Sequence, residues 1–180
     1  YKVGILDADM SLHFSDFRSG ERTFQLLTQV AGRSGRAEES GKVVLQTYSP
    51  DNAVLRYAIN YDYLSFFNQE LSIRKATAFP PFTDVVRILI SSENDEVALS
   101  ATKAIHGELS ILYNNEREKF RFYGCMKAPL KRLQNKFRYQ VLMRIIADDR
   151  QLLDKIFYTV DKYKQHGVFV SMEVNSNNLS

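Results

Sequence analysis

A chain of 180 residues, 44% hydrophobic and 25% charged, has ordinary globular composition and enough length for one large domain or two small ones, which excludes disorder as the default. Its formal net charge of +3 is too small by itself to imply a nucleic-acid partner, so the distribution of charge matters more than the total. One cysteine, Cys125, excludes an internal disulfide, and with three scattered histidines, His13, His106 and His166, it makes no structural zinc set.

A reducing cytoplasm suits this cysteine usage. No apolar run approaches the ~18 residues that span a membrane, and no signal-peptide pattern opens the chain. The chain begins at Tyr1 inside what reads as a strand already under way, so a piece of a longer protein is expected.

In chain order, Lys2 to Asp7 reads as a buried strand and Ala8 to Ser19 as a polar loop holding Asp9, Asp16 and Arg18. Gly20 to about Ala31 fits a helix, with Phe24, Leu27 and Ala31 on one stripe. Gly32 and Gly35 loosen a basic turn, and Lys42 to Thr47 is a second strand. Strand, helix, strand predicts a parallel α/β sheet. Asp51 to Thr77 is helical and aromatic, with Tyr57, Tyr61, Tyr63, Phe66 and Phe67, and reads as a connector. Phe79-Pro80-Pro81-Phe82 ends any helix, and a domain boundary is expected there.

Beyond the boundary the pattern alternates: Val86, Ile88 and Ile90 share a strand face. A helix follows from Asn94 to about Asn114, with Val97, Ala101, Ile105, Leu109 and Leu112 as its stripe. Phe120 to Met126 is a short strand. Phe137 to Ala147 is a long one, with Tyr139, Val141, Met143 and Ile145 on one face. Asp149 to Gln165 is helical, with Leu152, Leu153, Ile156, Val160 and Tyr163 inward, and Val168 to Val174 is the last strand. The order βαββαβ predicts the ferredoxin-like split βαβ, an antiparallel sheet with both helices on one face. The expected organisation is therefore 1–50, 51–82 and 83–180.

The most specific string is Gln29-Val30-Ala31-Gly32-Arg33-Ser34-Gly35-Arg36. Two arginines three residues apart lie near one helical turn from each other, so both guanidiniums can point one way. Convergent arginines suit a triphosphate, whose charge builds on the γ oxygens during transfer. Gln29 could orient the attacking water or bond the γ-phosphate. The plainer reading is a surface arginine pair at a helix C-terminus, which the macrodipole favours.

QVAGRSGR resembles motif VI of superfamily 2 helicases, QxxGRxGR. With Asp7-Ala8-Asp9, Asp16-Phe17-Arg18, Glu21-Arg22, Gln25-Leu26-Leu27 and Gln46-Thr47, it resembles the motif V to VI block of the bacterial replication-restart helicase family of primosomal protein N′ (PriA). Ser34 stands where alanine is common. Tyr63, Glu70, Arg74 and Pro80-Pro81-Phe82 resemble the family's connector, and Ala128-Pro129 with the basic strand after it resembles its C-terminal domain.

The resemblance implies that residues 1–50 end a RecA-like second helicase lobe. It implies that Gln29, Arg33 and Arg36 line the ATP cleft, with Arg36 as arginine finger, and that Asp9, Asp16 and Arg18 lie in the motif V region coupling the cleft to DNA. The intact protein would then use ATP and magnesium to unwind DNA 3′ to 5′ at stalled or collapsed forks. It would also initiate primosome assembly with the single-stranded-DNA-binding protein and other primosome proteins in the bacterial cytoplasm, at the nucleoid. This chain has no GxxxxGK[ST] loop and no DExH-type pair, and the family's zinc-binding cysteines lie before this block. The chain alone is expected neither to hydrolyse ATP nor to bind zinc.

Phe120 to Ala147 holds Arg121, Lys127, Lys131, Arg132, Lys136, Arg138 and Arg144 and no acidic residue. Most of this charge is expected in a loop between two strands, where Lys131, Arg132, Lys136 and Arg138 could meet phosphates while aromatics stack on unpaired bases. The alternative is a solubilising loop with the aromatics in the core, the reading preferred for Tyr139. His106 reads as a surface or boundary residue, Cys125 as a small buried hydrophobe, and Asp148-Asp149 as a helix cap. Arg150 reads as exposed and could meet an acidic partner tail. The rival function is a non-enzymatic nucleic-acid-binding protein built on the ferredoxin-like domain, since Phe120 to Gly124 faintly matches an RNA-binding signature. A superfamily 2 motor on RNA is a second rival.

Overall fold

The fold is that of a computed structural model, which describes residues 2–9, 12, 16–33, 42–164 and 167–176, with backbone alone at 2, 33 and 129–133. It divides into two compact units, one ending at Ala76 and the other beginning at Thr77.

In the first unit, β1 (Lys2–Ile5) and β2 (Lys42–Leu45) pair in parallel, from Lys2 opposite Lys42 to Ile5 opposite Leu45. A parallel pair needs a crossover, and α1 (Ser19–Arg33) supplies it. The start of α1 is set by Asp16: its carbonyl accepts from the Ser19 N–H and its Oδ1 from the Arg18 N–H at 3.0 Å. The inward stripe of α1, Phe24 and Leu27, is buried with Ala8, Leu55, Ala58 and Phe66. Phe24 and Phe66 stack with centroids 4.4 Å apart.

The aromatic stretch is two helices, α2 (Ala53–Ile59) and α3 (Tyr63–Ala76), broken at Asn60 to Asp62. Asn52 caps α2 by accepting from the Val54 N–H. Of the expected aromatic cluster, Phe66 is buried, whereas Tyr61, Tyr63 and Phe67 are exposed.

In the second unit, β3 (Thr83–Ser92), α4 (Asp95–Asn115), β4 (Phe120–Leu133), β5 (Lys136–Ile146), α5 (Arg150–Asp161) and β6 (Phe169–Val174) follow one another. The sheet order is β4-β5-β3-β6, with antiparallel neighbours throughout. Val86, Ile88 and Ile90 of β3 and Val141, Met143 and Ile145 of β5 form one core with Ile105 and Leu109 of α4 and Leu152, Ile156 and Val160 of α5. Both helices therefore cover the same sheet face. Asn94 caps α4 through the Glu96 and Val97 N–H groups, and Asp149 caps α5 through the Leu152 N–H at 3.0 Å.

Three expectations are corrected here. The stripe of α4 is Ala98, Ala101, Thr102, Ile105 and Leu109, while Val97 is exposed; the helix is rotated slightly from the expected phase, which places small residues where it packs closely. The basic segment is not a loop: β4 continues to Leu133 and turns into β5 through Gln134 and Asn135, both at positive φ, as a two-residue hairpin turn requires. Within it the register shifts, so that Ala128 to Lys131 stand opposite Arg138 alone. Cys125 is exposed, because β4 is an edge strand and alternation alone does not bury an edge residue.

Candidate functional site

Helix α1 carries the first candidate site. Its inward stripe is buried, and Gln25, Leu26 and Gln29 are exposed on the other side. Arg33 is the last residue of α1, four positions after Gln29 in the chain. Arg36 lies outside the described residues. Among the described residues, no atom comes within 4 Å of a Cβ placed on Gly32.

The predicted coupling residues are held elsewhere. Asp9 is 1% exposed. Its carboxylate accepts from Thr47 Oγ1 at 2.8 Å and from the Tyr48 N–H at 2.6 Å, tying the loop after β1 to the loop after β2. Asp16 pairs with Arg22 at 2.9 Å. Arg18 lies over the Phe17 ring, 5.0 Å from its centroid.

Phe17 meets two arginines, Arg18 and Arg74. Arg74 lies 5.3 Å from the centroid of that ring, and its guanidinium pairs with Glu70 and with Glu21, each at 2.9 Å. Sequence reading marked Glu21, Glu70 and Arg74 only as points of resemblance. The four-residue spacing of Glu70 and Arg74 signals a helical ion pair, but nothing local signals the partner 53 positions away. A separate cavity of about 660 Å³ in this unit is walled by Leu27, Val43, Leu45, Leu55 and other apolar groups; its apolar walls do not suit a phosphate.

The second candidate is the basic hairpin. Lys127 and Lys136 are exposed and Arg138 is half-buried. Lys131 and Arg132 lie on β4 among the residues described by backbone alone. The aromatics interleaved with them are mostly committed to packing. Tyr139 is buried and its hydroxyl donates to Asp95 Oδ1 at 2.6 Å, a bond that raises its pKa. Tyr123 stacks on Tyr113 and His106, its hydroxyl lies 2.6 Å from His106 Nδ1 and 3.0 Å from the His106 carbonyl, and burial pushes its pKa well up.

Arg144 is pinned. It lies 4.0 Å from the Phe79 ring centroid and donates to the Thr77 carbonyl at 2.8 Å, and burial lowers its pKa. Phe122 and Met126 remain partly exposed. Among the described residues, no His, Cys, Asp and Glu side chains gather into a group that could hold a metal ion, and no helix is long and apolar enough to cross a membrane.

The second unit, with its α4 and α5 layer and basic hairpin, coincides with a known domain: the model of the primosomal protein N C-terminal domain matches residues 75–176. The chain belongs to that family. Among its relatives, the replication restart protein PriA of Bacillus subtilis is 34% identical over 178 residues, covering 96% of this chain and 22% of the relative. PriA of Rickettsia felis is 37% identical over 153 residues, covering 85% of this chain and 22% of the relative. That of Borreliella burgdorferi is 31% identical over 163 residues, covering 91% of this chain and 24% of the relative. The chain thus spans about a fifth of the length of the curated relatives it matches. The family model begins at Lys75, next to the division between the two units, and the Bacillus relative extends the likeness across the first unit.

Proposed function

We propose that this chain is the C-terminal part of an ATP-dependent DNA helicase that moves 3′ to 5′, unwinds stalled or collapsed forks and starts primosome assembly. The observation that carries the reading is α1: within a parallel strand–helix–strand unit it leaves Gln29 exposed, and Arg33 and Arg36 follow in the motif. On this reading residues 1–50 close a RecA-like second lobe, 51–82 connect, and 83–180 form a ferredoxin-like domain. The strand order β4-β5-β3-β6 with both helices on one face supports that last assignment.

ATP with magnesium would lie against the exposed side of the C-terminal end of α1. Gln29 would hold the γ-phosphate or its water. Arg33 and Arg36 would offset charge that grows on the γ oxygens, a stabilisation that acts only as the bond breaks. The phosphate-cradling loop and the magnesium-holding carboxylates would come from outside this chain. So would zinc-binding cysteines, since this chain has one cysteine, Cys125. Lys131, Arg132, Lys136 and Arg138 would grip forked or single-stranded DNA through phosphates. The single-stranded-DNA-binding protein and other primosome proteins would be partners, in the bacterial cytoplasm at the nucleoid. The inward packing of Tyr123 and Tyr139 counts against the rival of a base-stacking RNA-binding sheet.

The test is ATP hydrolysis by the intact protein carrying this region. Arg36→Ala should lower the DNA-stimulated rate by about 10³–10⁵ and leave DNA affinity in place. A variant that hydrolyses ATP at the wild-type rate would remove the arginine-finger reading.

A further inference from the structure

We infer that Arg74 is a positioning residue that couples the second unit to the nucleotide-facing end of α1; the inference rests on the reading of α1 just proposed. Three observations carry it. First, Arg74 grips two helices at once. Its Nε pairs with Glu70 Oε1 within α3 and its Nη2 pairs with Glu21 Oε2 in the first turn of α1, both at 2.9 Å. Its plane also lies over Phe17, just before α1. The side chain is 13% exposed, so the fork is held largely out of water, where it is screened least. Only a planar, forked cation makes both pairs and the ring contact together.

Second, the start of α1 lies close against α2 and α3. A Cβ placed on Gly20 would meet Glu70 Oε2 at 3.4 Å and Val54 Cγ2 at 3.6 Å. These are ordinary van der Waals distances, so the start of α1 is packed directly against α2 and α3.

Third, the two ends of the linkage are functional positions. Arg74 is on the last turn of α3, which ends at Ala76, where the first unit ends and the chain passes into the second. Any pull transmitted along the chain from the second unit enters through this turn. Glu21 and Arg33 lie 12 residues apart on one helix, about 18 Å at 1.5 Å per residue. A helix of that length tilts as a rod, so a shift at Glu21 is delivered to Arg33. Removing Arg74 takes away the cation that Glu21 and Glu70 share and so releases the start of α1 from α3.

The experiment measures ATP hydrolysis by the intact protein, with and without saturating DNA, for wild type, Arg74→Gln, Glu21→Gln and the double variant. Glu21→Gln keeps the Arg74–Glu70 pair and alters a side chain 42% exposed, so it tests the linkage if Arg74→Gln folds poorly. The expected result is a fall in DNA-stimulated kcat on the order of tenfold for each single variant. The DNA-free rate and the KM for ATP stay at wild-type values, and the double variant is no worse than either single one. Full DNA stimulation in both single variants overturns the inference, as does an equal loss with and without DNA. If Arg36→Ala is inactive while both Arg74→Gln and Glu21→Gln respond to DNA normally, only the coupling role fails. If Arg36→Ala is fully active, the reading beneath it fails instead.

Discussion

Replacing Asp9 separates a structural carboxylate from a coupling one. In the structure Asp9 accepts a hydroxyl bond from Thr47 and a backbone bond from Tyr48 and is 1% exposed. Hydrogen bonds to a charged group contribute about 1.5–3 kcal/mol each, so Asp9→Ala should destabilise the first unit by at least about 3 kcal/mol, a large part of the roughly 5–15 kcal/mol that holds a domain together. Asp9→Asn keeps one acceptor oxygen but presents an N–H₂ to the second donor, so about half that loss is expected. Amide hydrogen exchange on the whole chain reads this directly. The Tyr48 N–H loses its partner outright. The Ala8 N–H, bonded to the Gln46 carbonyl at 3.0 Å, loses the clamp that holds the two loops together. If both amides keep wild-type protection in Asp9→Ala, the carboxylate does not hold these loops and the energy assigned to its bonds is refuted.

Changing Lys131, Arg132, Lys136 and Arg138 together to alanine should weaken binding to a fluorescent forked DNA. It should also flatten the salt dependence by up to about 3.6 in log–log slope, roughly 0.9 for each phosphate left without its cation. Anisotropy across a salt series measures both, and unchanged affinity and slope would make the hairpin a solvated edge. Acid should loosen the second unit through three carboxyls. Glu108 is held below its ordinary pKa by Lys162 and Tyr163, and Glu116 by Lys119 and Lys155. Asp149 is held low by the Leu152 N–H and Lys119. Their contribution is complete above the unfolded values, about 4.3 for Glu and 3.9 for Asp, and is lost as pH falls through the lower folded ones. Glu116→Gln should therefore flatten the fall in melting temperature below about pH 4; a fall identical to wild type would show that Glu116 has no part in it.

The sequence by itself determined the strands and the helix faces that repeat with a fixed period. Val86, Ile88 and Ile90, and Val141, Met143 and Ile145, alternate because a strand turns its side chains over every residue, and all six are buried. Phe24 and Leu27 mark the inward side of α1 by helical spacing, which left Gln29 outward, and Asp149 was legible as a cap from its place before an apolar run. Period says nothing about which neighbour arrives on a face. Tyr123 and Tyr139 look alike in sequence, yet one stacks on His106 and Tyr113 and the other reaches Asp95. Cys125 stands opposite the buried Val141 and is exposed because its strand ends the sheet. The basic segment looked like a loop because Pro129 and a run of charge break the alternation, whereas pairing with β5 carries the strand on to Leu133. The grip of Arg74 on Glu21 was beyond local reading altogether, because charges 53 positions apart become neighbours only after α1 and α3 have packed through Phe24 and Phe66.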